Sequence, residues 1–134
     1  MTTQSNLQYS VGNADYLMLR GDTFRLKVHV KNQYGAEKNI TGSKVWFTVK
    51  CRFTDQDALA VSRADSTDAS GDVVITDATR GYVDVRMQAF KTVTFPDTPV
   101  ALVYDVQVLD ASGDVITVER GLLTVTPDVT RTTT

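Results

Sequence analysis

The stretch FRLKVHVK, residues 24–31, alternates apolar and polar side chains with a period of two. Apolar side chains stand at each even position from Phe24 to Val30, whereas the odd positions carry basic side chains or His29. Alternation of this kind is typical of an antiparallel strand with one face buried and the other in solvent. We therefore expect a sheet whose apolar face packs on a core, with His29 on the exposed face.

The same pattern recurs along the chain and predicts an all-β fold. Thr and Val make up 38 of the 134 residues, and such β-branched side chains favour strands. Alternation between Asp- or Gly-containing turns predicts further strands at residues 44–52, 72–76, 83–87, 102–108 and 115–126. Residues 88–94 are expected to form one helical turn. Six or seven short strands of this kind indicate an immunoglobulin-like Greek-key β-sandwich.

The domain organisation follows from where this alternation begins and ends. Residues 21–126 form the predicted β-sandwich, residues 1–20 an extended N-terminal arm, and residues 127–134 a polar C-terminal tail. Within the last strand the apolar parity switches across Arg120-Gly121. A parity switch at a glycine predicts a β-bulge that re-aims the second half of the strand.

Composition and charge argue against several classes of function. A net charge of −2 is unlike the strongly basic surface of a dedicated nucleic-acid binder. No apolar run approaches the roughly 18 residues of a membrane-spanning helix, and residues 1–12 lack the apolar core of a signal peptide. One cysteine and one histidine leave most metal and nucleophile constellations without their residues. We expect no enzymatic activity, no metal and no cofactor.

Five side chains are candidates for an interface. The apolar cluster Tyr16, Leu17, Met18 and Leu19 lies in the otherwise polar arm, and it docks either on the domain itself or on a neighbouring subunit. Trp46 has the opposite parity to Val45 and Phe47, so it is expected on the face away from their core layer. There it either anchors an interface or stacks on a sugar, or it is covered by another part of the chain.

Residues with reactive side chains have simpler interpretations. Cys51 shares its parity with Val45, Phe47 and Val49, and is therefore expected to point inward as an inert thiol. The acidic stretch from Asp55 to Asp72 could supply oxygen ligands for calcium, although it lacks the EF-hand order of ligands. Solvated carboxylates in turns are the alternative that we favour.

Several short motifs, in a fixed order, resemble those of a known family. They are GDT at 21–23, NITG at 39–42, VWFTVK at 45–50, TDATRG at 76–81, YDVQV at 104–108 and GLLTV at 121–125. Their order resembles the immunoglobulin-like domain at the N-terminus of tailed-bacteriophage baseplate upper proteins. It is also similar to small stand-alone phage structural proteins. The resemblance covers residues 21–126.

The resemblance implies a non-enzymatic structural protein of the virion, as an accessory component of the tail, baseplate or capsid. Its expected partners are other virion structural proteins, and the symmetry of such particles favours a homo-oligomer. No nucleic acid or membrane is expected among the partners. The alternatives are a capsid decoration protein, or a carbohydrate-binding or adhesin domain that attaches to a glycan on the host surface.

Overall fold

The computed structural model describes residues 12–95 and 100–127, of which residues 12 and 13 are described by their backbone alone. This part of the chain forms nine strands. They are β1 (Gly12–Asn13), β2 (Tyr16–Leu19), β3 (Phe24–His29), β4 (Lys44–Lys50), β5 (Ser62–Asp65), β6 (Val73–Asp77), β7 (Tyr82–Met87), β8 (Val100–Leu109) and β9 (Val115–Thr126). A 3-10 turn at Asp57–Leu59 precedes β5, and the short helix α1 (Ala89–Thr92) follows β7 where a helical turn was predicted.

The strands form two sheets. The larger sheet has the order β1-β9-β8-β4-β5, and β2 also pairs with β9 beside β1. Both β1 and β2 run parallel to β9, whereas all other pairs in the two sheets are antiparallel. The smaller sheet has the order β3-β7-β6. The fold is therefore the predicted immunoglobulin-like β-sandwich.

The core lies between the inner faces of the two sheets. The alternation in residues 24–30 is confirmed, because Phe24, Leu26, Val28 and Val30 are all buried. From the larger sheet, β4 and β8 contribute alternate residues, among them Phe47 and Tyr104, whose rings lie 5.9 Å apart. Burial of these aromatic and β-branched side chains is the main source of stability for the sandwich.

The N-terminal boundary differs from the prediction. Residues 12–13 and 16–19 are strands of the larger sheet rather than parts of a separate arm. Residues 1–11 of the predicted arm and 128–134 of the predicted tail lie outside the described residues. Met18 reaches the core with only 3% of its side chain exposed. A four-residue edge strand has too few alternations to be recognised from sequence, so the alternation of side chains predicts a domain that begins only at residue 21.

Two further expectations are corrected by the structure. The prediction that Cys51 points inward is wrong: β4 ends at Lys50, and Cys51 lies exposed in the following turn, where strand parity no longer applies. The parity switch in β9 is confirmed, but its bulge falls earlier than predicted. Val106 pairs with Glu119 and Gln107 with Thr117, so the extra residue is Val118.

Candidate interaction surface

Strand β2 separates the four apolar residues of the predicted interface cluster onto two faces. Tyr16 and Met18 face the core, and the Tyr16 ring packs edge-on against Phe24 at 6.0 Å. Leu17 and Leu19 face outward, with 68% and 47% of their surface exposed. Only Leu17 and Leu19 are therefore available to a partner while β2 stays paired with β9.

A buried polar contact fixes the segment that precedes β2. The hydroxyl of Tyr104 lies 2.6 Å from the backbone oxygen of Ala14 and 2.9 Å from Oε2 of Glu119. Burial raises the pKa of Tyr104 above its ordinary value of 10.0, and the hydrogen bond to Glu119 raises it further. Burial also raises the pKa of Tyr16, whose hydroxyl lies 3.5 Å from the same carboxylate oxygen. These contacts tie the start of β2 to β8 and β9.

Gly121 allows the same segment to approach β9 closely. A Cβ atom at this position would lie 2.0 Å from the backbone oxygen of Ala14, so no other residue fits without displacing the chain. Beside it, the Leu122 N–H donates to Oδ1 of Asp15 at 2.9 Å. The glycine that marked the predicted bulge thus serves a close backbone contact.

Exposed apolar side chains gather on the outer face of the larger sheet, the face that points away from β3, β6 and β7. We call this group the outer-face patch, and it consists of Leu17, Leu19, Phe53 and Leu122, each of them at least 42% exposed. Phe53 and Leu122 line one cavity of about 300 Å³, together with Arg120, whose guanidinium lies 4.3 Å from the Phe53 ring.

Phe53 and Leu122 were missed by sequence reasoning. Phe53 lies in the turn after β4, where no periodicity predicts its direction. It covers Thr48 and Val103, which are buried although they lie on the outer face. The cavity below Phe53, of about 30 Å³, is too small for an organic ligand. Leu122 has the opposite parity to Leu123 and Val125, so the predicted alternation after Gly121 could already have assigned it to the outer face.

Trp46 lies at the opposite margin of the same face and is half-buried. The Lys44 ammonium lies 5.0 Å and the Arg63 guanidinium 5.8 Å from the centre of its ring. Cationic side chains at such distances are attracted to an aromatic face. The Trp46 ring is therefore packed against cationic side chains of the same chain. This arrangement is close to the alternative in which another part of the chain covers Trp46.

Acidic residues near Trp46 take part in ion pairs and turns. Asp57 lies 2.8 Å from Nζ of Lys50 and 3.3 Å from Nη2 of Arg63, and these cations lower its pKa. Hydrogen bonds from Thr67 and Ser70 lower the pKa values of Asp65 and Asp68. Within residues 12–95 and 100–127, no three acidic, His or Cys side chains are placed to hold a metal ion.

His29 lies on the outer face of the smaller sheet, as predicted. Its ring stacks on Tyr82 with the centroids 4.1 Å apart, and its Nε2 lies 2.9 Å from the backbone oxygen of Arg80. Glu37 is 3.5 Å from the same nitrogen. A carbonyl oxygen only accepts hydrogen bonds, so in this contact Nε2 carries a proton and donates it to the Arg80 carbonyl.

Comparisons with known proteins find likeness in fold alone. No family model and no curated protein matches the chain. CopC from Methylosinus trichosporium OB3b is 11% identical at a TM-score of 0.43, over 87% of this chain and 86% of that one. The periplasmic chaperone SfaE is 14% identical at a TM-score of 0.47, over 87% of this chain and 55% of that one. Murine CRIg is 10% identical at a TM-score of 0.38, over 85% of this chain and 92% of that one. None of the helices in the described residues could span a membrane.

Proposed function

We propose that the chain is a non-enzymatic structural component of a tailed-bacteriophage virion that acts through protein–protein contacts. The observation that supports this proposal is the outer-face patch, in which Leu17 is 68% exposed on a strand held in place by buried contacts. The order of motifs in residues 21–126 supports the virion as the setting, since it resembles that of baseplate domains.

The patch suits a partner protein because its backbone is already ordered. Ala14 and Tyr16 are fixed by Tyr104 and Phe24, so Leu17 is presented without the loss of conformational entropy that a free arm would suffer. Apolar side chains next to Arg120 also match the composition of interface centres, which are enriched in aromatic and arginine residues. The partner that we propose is another structural protein of the same virion.

The experiment is a binding assay of the purified chain with disrupted virions of the encoding phage. We expect the wild-type chain to form a complex, seen by light scattering, and Leu17→Asp to abolish it. The matched control is Leu59→Asp, because Leu59 is 65% exposed but lies in the 3-10 turn near Asp57. No complex with the wild-type chain would contradict the virion role. Equal loss with both variants would contradict the role of the outer-face patch.

A further inference from the structure

The described strands leave open edges on both sheets, and each edge is a candidate for pairing with a second chain. In the larger sheet the edges are β5 on one side and β1 and β2 on the other, and in the smaller sheet they are β3 and β6. Strand β1 has only two residues, too few to hold a partner strand. An edge strand presents backbone N–H and C=O groups that no neighbouring strand satisfies, so it is a template for adding another strand. Whether a second copy of this chain fits depends on the charges and hydrogen bonds of each edge.

Strand β3 repels a second copy of itself. The Val30 N–H donates to the Gly81 carbonyl at 2.8 Å, which places the backbone groups of even-numbered residues toward β7 and those of odd-numbered residues toward the open edge. The odd positions carry Arg25, Lys27 and His29. An antiparallel copy would bring the cationic side chains of Arg25 and Lys27 next to those of the second copy, which destabilises a pair of strands.

Strands β5 and β2 already use edge groups within the chain. The Asp65 N–H, at the end of β5, donates to Oδ2 of Asp68 at 2.9 Å. The Leu19 carbonyl, at the end of β2, accepts from the Asp22 N–H at 3.1 Å. Pairing either edge with a second chain would require breaking these bonds.

Strand β6 has neither obstacle. The Arg86 N–H donates to the Asp72 carbonyl at 2.6 Å, so in the antiparallel register with β7 the backbones of Asp72 and Val74 face β7. The N–H and C=O groups of Val73 and Ile75 therefore point to the open edge, where the described part of the chain contributes no strand. Val73, Val74 and Ile75 are all β-branched, and Val74 is 44% exposed on the outer face.

We propose that two copies of the chain associate by antiparallel pairing of β6 with β6, with Val74 opposite the partner's Val74 across a twofold axis. In this register the outward backbone groups of Val73 and Ile75 bond to those of the partner's Ile75 and Val73. No like charges face each other, because this register sets Asp72 opposite the partner's Thr76 and Asp77 opposite the partner's Gly71. The Asp72 carboxylate is in addition buried and paired with the Lys91 ammonium. The interface lies on the smaller sheet and is independent of the outer-face patch.

Disulfide trapping tests the register. Val74→Cys is made in a Cys51→Ser background, since Cys51 is the one cysteine of the sequence and is exposed. Directly opposite residues of a non-hydrogen-bonded antiparallel pair lie about 4.5 Å apart at Cα, close enough for a disulfide. We expect Val74→Cys to form covalent dimers about tenfold faster than the control, because pairing holds the two thiols at an effective concentration in the mM range.

The matched control is Val115→Cys in the same background, because Val115 is a strand valine of the other sheet and is 56% exposed. Equal rates for the two variants would overturn the proposed register. Light scattering then tests the association itself. At high concentration the wild-type mass should approach twice the 14.7 kDa of one chain. Val74→Lys, checked for folding by its thermal transition, should raise the dissociation constant about tenfold or more.

A wild-type chain that stays monomeric at all concentrations would overturn the pairing. The outcome is separable from that of the virion-binding assay. Val74→Lys is expected to bind virion components through the outer-face patch as the wild-type chain does. Leu17→Asp is expected to leave the self-association unchanged.

Discussion

The two margins of the larger sheet's outer face differ in how their side chains are satisfied. At the β2 margin, Leu17 and Leu19 are 68% and 47% exposed, while the backbone beneath them is fixed by Tyr104 and Gly121. At the β5 margin, Trp46 lies under Lys44 and Arg63, and the nearby carboxylates pair with cations or cap turns.

The difference shows how one sheet can carry both a surface suited to binding a partner and a surface whose side chains are already paired within the chain. At the β5 margin, ion pairs and cation–π contacts within the chain satisfy the charged and aromatic side chains. Such exposed contacts contribute little to the free energy of unfolding. The β2 margin leaves apolar surface in water, which is unfavourable unless a partner covers it. Its rigidity comes from buried contacts that are absent from the surface itself. Substitutions in those buried contacts should therefore affect stability more than substitutions at either margin.

The largest effect is expected from Gly121→Ala. The added Cβ would meet the Ala14 carbonyl at 2.0 Å, a backbone atom that can move only if the start of β2 leaves β9. We expect a loss of about 3 kcal/mol in the free energy of unfolding, measured by urea denaturation.

The control is Gly113→Ala, at a glycine with open space around the added atom and a φ of 99°. It should lose about 1 kcal/mol, from the backbone conformation alone. Similar losses for the two variants would show that the approach of Ala14 to β9 is not tight.

The next prediction compares neighbours on β2. Met18→Ala removes a core side chain that is 3% exposed, and should lower the free energy of unfolding by about 2 kcal/mol. Leu17→Ala, one residue earlier and exposed, should change it by less than about 0.5 kcal/mol. Thermal and urea unfolding of the two variants measure the contrast. Equal losses would mean that β2 does not hold its place in the sheet.

Sequence alone predicted most of the sandwich but not its margins. Strands with several inward side chains, such as β3 and each half of β9, show a clear period of two. In β5 only Ala64 is buried, whereas Ser62, Arg63 and Asp65 are not, so no alternation marks that strand.

The candidate surface was predicted in part for the same reason. The apolar residues of β2 stood out by composition, but a four-residue strand does not reveal which of them face outward. Phe53 lies in a turn, where only tertiary contacts decide its position. The approach of Ala14 to Gly121 joins residues more than 100 positions apart, which no local pattern encodes.

A smaller effect, with a defined pH dependence, is expected from Tyr104→Phe. The variant leaves the Ala14 carbonyl without the Tyr104 hydroxyl and should lose about 1 kcal/mol at neutral pH. Because the pKa of Tyr104 is raised in the folded state, its contribution is fully present below pH 10 and is lost as the pH rises above that value. The free energy of unfolding, measured between about pH 8 and 11 around the ordinary tyrosine pKa, should fall less steeply with pH in Tyr104→Phe than in the wild type. Parallel curves for the two proteins would contradict the contact.

The smallest effect is expected at the β5 margin, from Asp57→Asn. Asp57 is well exposed, so solvent screens its pairs with Lys50 and Arg63, and the loss should stay below about 0.5 kcal/mol. Since those cations lower the pKa of Asp57, its contribution is present above its ordinary value of 3.8 and is lost as the pH falls through the folded value. The measurement is thermal unfolding at low and high salt, where added salt should narrow the small difference from wild type. A loss as large as that of Met18→Ala would reverse the comparison, because the β5 margin would then contribute to stability as the buried contacts of the β2 margin do.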